Sequence, residues 1–217
     1  GQIQIGFEDL LNGGDQDYDD VVANVTVEGS DITGGSNDTL FGGEGSDTAL
    51  GGSGDDLIDG GAGNDDLHGD SGDDTISGGD GDDWIEGGSG DDSLDGGAGN
   101  DTIQGNSGDD WIEGGDDNDL ALGGSGSDTI HGGSGSDTIQ GNSGDDSING
   151  GTGQDILIGG TGNDTISGSA GNDLLVGGTG NDSLSGGDGH DYVVGMEGDD
   201  SMEGGAGDDH MYGGTGD

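Results

Sequence analysis

Gly78-Gly79-Asp80-Gly81-Asp82-Asp83-Trp84-Ile85-Glu86 has the form Gly-Gly-x-Gly-x-Asp-x-aliphatic-x, and most of the chain consists of copies of it. Its sixth residue sets the register. An aspartate recurs at every ninth position without exception, twenty in all. One alternate series is Asp38, Asp56, Asp74, Asp92, Asp110, Asp128, Asp146, Asp164, Asp182 and Asp200; the other is Asp47, Asp65, Asp83, Asp101, Asp119, Asp137, Asp155, Asp173, Asp191 and Asp209. Two places after each stands an apolar residue. A fixed period over residues 34–217 marks stacked units, each too small to bury a core alone and each completed by its neighbours. The expected fold is therefore all-β: a parallel β-roll of two short-stranded sheets, two nonapeptides per coil and about ten coils. Leu40, Ile58, Ile76, Leu94 and Ile112 are expected to point inward from one sheet, and Ala49, Leu67, Ile85, Ile103 and Ala121 from the other. The strand of each unit is expected in its x-Asp-x-aliphatic-x half, with the glycines at places one, two and four forming the turn.

Composition sets a condition on that fold. With 61 glycines, 24% hydrophobic residues and a formal charge of −50 in 217 residues, an ordinary globular core is excluded and disorder would be the default. The periodicity argues for order, provided something neutralises the acid. Lys and Arg are both absent and only four histidines are present, so the counter-charge must come from solution and cations are part of the structure. Phosphate contacts need basic groups, so nucleic acid is not a partner, and direct charge pairing with anionic lipid is excluded for the same reason. There is no cysteine, no apolar run of spanning length and no basic-plus-apolar leader, so disulfides, membrane insertion and a standard signal peptide are not expected. The chain opens on Gly1 and closes on half a unit, Gly213 to Asp217, and reads as a segment of something longer.

The repeat is suited to a metal. Its glycines let carbonyl oxygens converge in a tight turn, and the aspartate adds a formal charge at the same point. Carboxylate and carbonyl oxygens without nitrogen or sulfur suit a hard cation of flexible coordination, Ca²⁺ before Mg²⁺ and well before Zn²⁺. One aliphatic residue per nonapeptide is a small return for ordering nine residues, and metal binding becomes folding free energy when the site does not exist in the unfolded chain. The chain is expected to be disordered without Ca²⁺ and folded with it.

On these residues the array resembles the RTX (repeat-in-toxin, hemolysin-type) calcium-binding nonapeptide repeats of secreted bacterial proteins, over residues 34 to 217. The resemblance implies a row of Ca²⁺ along each edge of the roll, each ion bridging a turn and the turn one coil later. It also implies export of an unfolded chain that folds in external calcium. Twenty turns then give ten per edge and nine gaps per edge, about eighteen ions in two rows. Their charge leaves −14 of the original −50. Departures are few: the first unit, Gly34-Gly35-Ser36-Asn37-Asp38, is one residue short, and Asp117 replaces a fourth-place glycine, which weakens the case for one site. The second-place glycine becomes Asp70, Asn106, Asn142, Ser169 or Met196.

Residues 1–33 differ. Gln2-Ile3-Gln4-Ile5 and Val21-Val22-Ala23-Asn24-Val25-Thr26-Val27 alternate as strands around an acidic loop. Phe7-Glu8-Asp9-Leu10 and Gly13-Gly14-Asp15-Gln16-Asp17-Tyr18-Asp19-Asp20-Val21 resemble the end of an all-β domain of bacterial exoproteins. Asp15, Asp17 and Asp19, at alternating positions, are either ligands of a structural Ca²⁺ or a solvated acidic turn. Two strands are too few to stand alone, so they close a domain upstream or complete a sheet in a neighbouring molecule.

Places seven and nine of each unit are expected to face outward. One outer face is mostly Ser and Thr with polar partners. The other turns apolar: Leu120, Leu122, Ile156, Ile158, Leu174, Val176, Tyr192, Val194 and Tyr212 form a candidate interface for self-association or a flanking domain. The alternative is strand propensity and cross-strand pairing alone. No zinc-protease, nucleophile-elbow or phosphate-loop motif occurs, the adjacent acids such as Asp82-Asp83 recur as turn chemistry, and His68, His131, His190 and His210 read as isolated surface residues, so no enzyme is expected. The sequence points to an extracellular calcium-binding structural segment of a bacterial filament, surface layer or adhesin. The alternative is the C-terminal secretion and folding module of a secreted RTX enzyme or toxin. An ice-binding adhesin module is a minor alternative, because the third-place row reads Ser53, Ser71, Ser89, Ser107, Ser125 and Ser143 before Thr161 and Thr179, so the threonine row is too short.

Overall fold

A computed structural model of the chain describes residues 21–23, 31–33 and 36–216. Among these residues the chain forms two eleven-stranded sheets. Successive strands alternate between them, so each strand pairs with the one two places on. The first sheet begins with Val21–Ala23 and continues through Asp38–Glu44 and Leu57–Ala62 to Ser201–Ala206; the second begins with Asp31–Thr33 and ends with His210–Tyr212. Every pairing is parallel and in the same register through the repeats, as in Trp84↔Thr102, Ile85↔Ile103 and Glu86↔Gln104. Residue i therefore lies beside residue i + 18, and the coil of two nonapeptides follows directly from the repeat length.

One aliphatic residue per unit fills the space between the sheets. Ile85, Ile103, Ile112 and Ile130 are fully buried, and the column runs without a break from Leu40 to Val193. Met202 packs against its end. Each buried aliphatic side chain contributes roughly 1.5–3 kcal/mol, so the apolar core is thin and the backbone ladders and turns carry much of the specificity.

The strands lie later in the repeat than expected. Trp84–Ser89 starts on the residue after Asp83 and runs through the next unit's glycine pair to its third residue; most other strands of the repeats share this frame. The turn is compressed to Gly81-Asp82-Asp83. It is tied across coils at both ends, by Gly81 N–H to the Ala98 carbonyl at 2.7 Å and Trp84 N–H to the Asp65 carbonyl at 2.9 Å. Three residues suffice because the second and fourth glycines, Gly79 and Gly81, have φ of 109° and 137°, angles that reverse the chain quickly and that L side chains resist. Ser36 and Asp117 occupy fourth places with φ of 76°, so the turn is kept there without glycine.

Of the N-terminal segment, Val21–Ala23 pairs with Asp38–Leu40 and Asp31–Thr33 with Thr48–Leu50, extending both sheets of the roll. The other strand residues expected there, Gln2–Ile5 and residues 24–27, and the acidic loop with Asp15, Asp17 and Asp19, lie outside the described residues. Among the described residues no helix is long and apolar enough to cross a membrane.

Candidate metal centre

Each repeat aspartate sits at the end of its turn, and its backbone and side chain serve different coils. Asp65 N–H donates to Asp83 Oδ1 at 2.8 Å, Asp83 N–H to Asp101 Oδ1 at 2.8 Å and Asp101 N–H to Asp119 Oδ1 at 2.9 Å. The opposite edge repeats this from Asp56 to Asp74 and from Asp92 to Asp110. The result is one ladder of aspartates along each edge of the roll. The carboxylates from Asp47 to Asp191 are at most 4% exposed.

The second oxygen tells more. Oδ2 of the repeat aspartates from Asp47 to Asp200 is buried without a hydrogen-bond donor, and for Asp47 both oxygens are. A buried carboxylate oxygen without a partner is costly. The first-place glycine makes room for it: a Cβ on Gly78 would lie 2.3 Å from Asp83 Oδ2 and 2.6 Å from the Gly96 carbonyl oxygen. The expectation that this first-place glycine forms part of the turn is corrected here. Positive φ is confined to places two and four, and Gly78 is required by the close approach of oxygens.

Burial dominates the electrostatics. It pushes Asp56, Asp83, Asp101 and Asp110 up to about 6, and Asp92 and Asp119 up to about 7, against the lowering effect of the backbone N–H bond from the preceding coil. Neighbouring carboxylates, such as Asp74 and Asp110 around Asp92, add to the rise. Near neutral pH the ladder is under strain that either a proton or a cation relieves.

These residues fit calcium. The donors are oxygen only, an orphaned carboxylate oxygen recurs from Asp47 to Asp200, and the glycine-rich backbone supplies carbonyls around it. Among the described residues no group of three or more His, Cys, Asp or Glu side chains is arranged to hold a metal ion by itself. That matches a site with one carboxylate per turn completed by backbone oxygens, and it is unlike a zinc site of converging side chains. Ca²⁺ held here would neutralise the buried carboxylate charge. The repeat aspartates and the carbonyls of their turns would hold it.

A second ladder escaped the sequence reading. The fifth-place residues bond in the reverse sense: Asp91 N–H donates back to Asp73 Oδ1 at 2.9 Å and Asp109 N–H to Asp91 Oδ1 at 2.8 Å. Adjacent acids such as Asp109-Asp110 thus belong to two ladders of opposite direction. His190 belongs to the matching fifth-place ladder of the opposite edge, its N–H donating to Asn172 Oδ1 at 2.8 Å and its Nδ1 accepting from Asp208 N–H at 2.9 Å. Nor are the other histidines isolated. His68 lies 2.8 Å from Asp66 and 3.1 Å from Glu86, His131 packs edge-on against Trp111 at 5.0 Å, and His210 stacks on Tyr192. Glu86 lies eighteen residues after His68, so the coil of two nonapeptides expected from the repeat already places the two side by side.

On the second sheet the expected apolar residues fall into two rows. Ile156, Leu174 and Tyr192 are in register, as are Ile158, Val176 and Val194, with Tyr212 at the end. Leu120 and Leu122 are separated from them by Thr138 and Gln140, so the patch is not continuous to its start.

A search of curated proteins finds no match. The family model for the RTX calcium-binding nonapeptide repeat (four copies) matches overlapping stretches, residues 32–67, 59–94, 68–103, 87–121, 95–130, 122–157, 149–184 and 185–217. With the period, the parallel roll and the two aspartate ladders in agreement with that match, the chain belongs to the RTX calcium-binding nonapeptide repeat family.

Proposed function

We propose that this chain is an extracellular, calcium-locked structural segment of a bacterial surface protein, in a filament, a surface layer or an adhesin stalk. The observation that carries this reading is the continuity of the two aspartate ladders, with a donorless buried Oδ2 at turn after turn from Asp47 to Asp200. Scattered binding sites would decorate a fold; here the spacing of the carboxylates and the spacing of the coils are one and the same, so the cations are part of the scaffold. About eighteen ions, bridging successive turns of each edge, would hold the coils in register. Millimolar external Ca²⁺ sets the lock, and low cytosolic Ca²⁺ leaves the chain unfolded for export. Calorimetric titration of Ca²⁺ into metal-free protein, with circular dichroism, tests this: many ions bound together with a rise in β-structure supports the reading, and a few ions bound without folding contradicts it.

The second reading is a secretion and folding module of an enzyme or toxin whose activity lies elsewhere. The apolar outer face of Ile156 to Val194 favours it to the extent that a flanking domain covers that face. Recognisable catalytic motifs in the parent reading frame would decide for it.

A further inference from the structure

The second sheet carries a neutral outer face that is out of keeping with the chain. From Thr102 to Tyr212 no carboxylate occupies a first or third strand position, the outward ones, although the chain has 50 acidic residues and neither Lys nor Arg. Within it, Ile156, Leu174 and Tyr192 form one row and Ile158, Val176 and Val194 the other. The first sheet is also free of acid between Thr129 and Ser185, but its outward residues there are small hydroxyls, an amide and a histidine. That surface is readily hydrated, whereas the second is not.

Met196 supplies an independent sign. It stands at a second place with φ of 81°, a strained angle for a bulky side chain, and its side chain is exposed. At three of the four other substituted second places a polar residue bonds to a ninth-place side chain: Asn106 to Glu86 at 2.9 Å, Asn142 to Gln140 at 2.6 Å and Ser169 to Asn149 at 2.8 Å. Methionine makes no such bond. It extends the apolar rows by one residue beyond Val194.

We infer that this face docks onto the same face of a second copy, giving a closed two-fold dimer of calcium-loaded rolls. The inference rests on the calcium-dependent fold proposed above. Charge selects the partner surface: two copies without a single Lys or Arg have no attractive pairing of permanently charged side chains, so contact is favoured only where neither presents carboxylates. Area sets the strength. Seven strands about 4.8 Å apart make a face roughly 30 Å by 15 Å, on the order of 900 Å² buried between two copies, at the low end for a specific interface. Because an isologous contact uses the same patch on both partners, the assembly closes at two.

Sedimentation velocity to about 200 µM protein, with circular dichroism on the same samples, tests the dimer. In saturating Ca²⁺ the 20.9-kDa chain is expected to approach twice its mass and stop there. Val176→Glu, at an outward position, is expected to weaken the dimer at least about tenfold, and Ser167→Glu on the first sheet to leave it unchanged. Met196→Gly relieves the strained angle, so it folds at least as well as the parent and is expected to dimerise more weakly. A folded chain that stays monomeric at the highest concentration, a Val176→Glu variant that dimerises as the parent does, or growth past two copies overturns the dimer and leaves the calcium fold intact. A chain that stays unfolded in Ca²⁺ overturns both.

Discussion

The backbone N–H of Asp65 donates to Oδ1 of Asp83 at 2.8 Å, while Oδ2 of the same Asp83 carboxylate is buried without a donor. One aspartate thus fastens the coil before it and offers a negative oxygen to something that the polypeptide does not supply.

Splitting those two roles is possible at Asp110, which accepts from Asp92 N–H at 2.9 Å. Asp110→Asn keeps an oxygen for that bond and removes the charge; Asp110→Ala removes both. In saturating Ca²⁺ the melting temperature should fall in the order parent, Asn, Ala, with the Ala variant losing about 1–3 kcal/mol more than Asn for the stranded donor.

Gly78 and Gly213 occupy the same place in different units, yet their surroundings differ. A Cβ at Gly78 collides with Asp83 Oδ2 and the Gly96 carbonyl, whereas at Gly213, among the described residues, it meets Met202 Cε at an ordinary 3.6 Å. Gly78→Ala should lower the melting temperature and the number of Ca²⁺ bound by calorimetry; Gly213→Ala should change neither.

Within the strand Trp111–Asp116 the inward and outward residues should respond unequally. Ile112→Ala opens a cavity in a column one residue wide and is expected to cost about 2–5 kcal/mol. Trp111→Ser, at an exposed site with His131 as its edge-on ring neighbour, should cost about 0.5–1.5 kcal/mol. Thermal denaturation in Ca²⁺ gives both values.

Metal-free protein should respond to acid in an unusual direction. Burial raises Asp83 and Asp110 to about 6, and Asp92 and Asp119 to about 7, from 3.8. Between those limits the folded roll binds more protons than the unfolded chain, so folding free energy gained below pH about 4 is lost as pH rises through about 6–7. Circular dichroism in chelator should show β-structure growing as pH falls from about 7.5 to about 4.5, and Ca²⁺ affinity should weaken over the same range, because protons compete for the same oxygens.

The period alone made the coil, the two inward columns and the aspartate rows legible, because a repeat of nine with an apolar residue at one place leaves few ways to stack. Ile85 and Ile103 fall where that reasoning puts them. The strand frame was not legible: nothing in Gly78-Gly79 says that the pair lies in a strand rather than a turn until the angles are known. Gly78 was assigned to the correct motif for the wrong reason, since the crowding comes from Asp83 Oδ2 and from Gly96 one coil away. The pairing of His68 with Glu86 was legible in the eighteen-residue coil, since the two stand at the same place of successive coils.

A Ca²⁺ titration of metal-free protein followed by circular dichroism tests the central claim most directly. A chain without β-structure in chelator should convert cooperatively to the roll as Ca²⁺ reaches the millimolar range, and Mg²⁺ should not replace it. Full β-structure in chelator at neutral pH, or no transition with added Ca²⁺, would contradict the account.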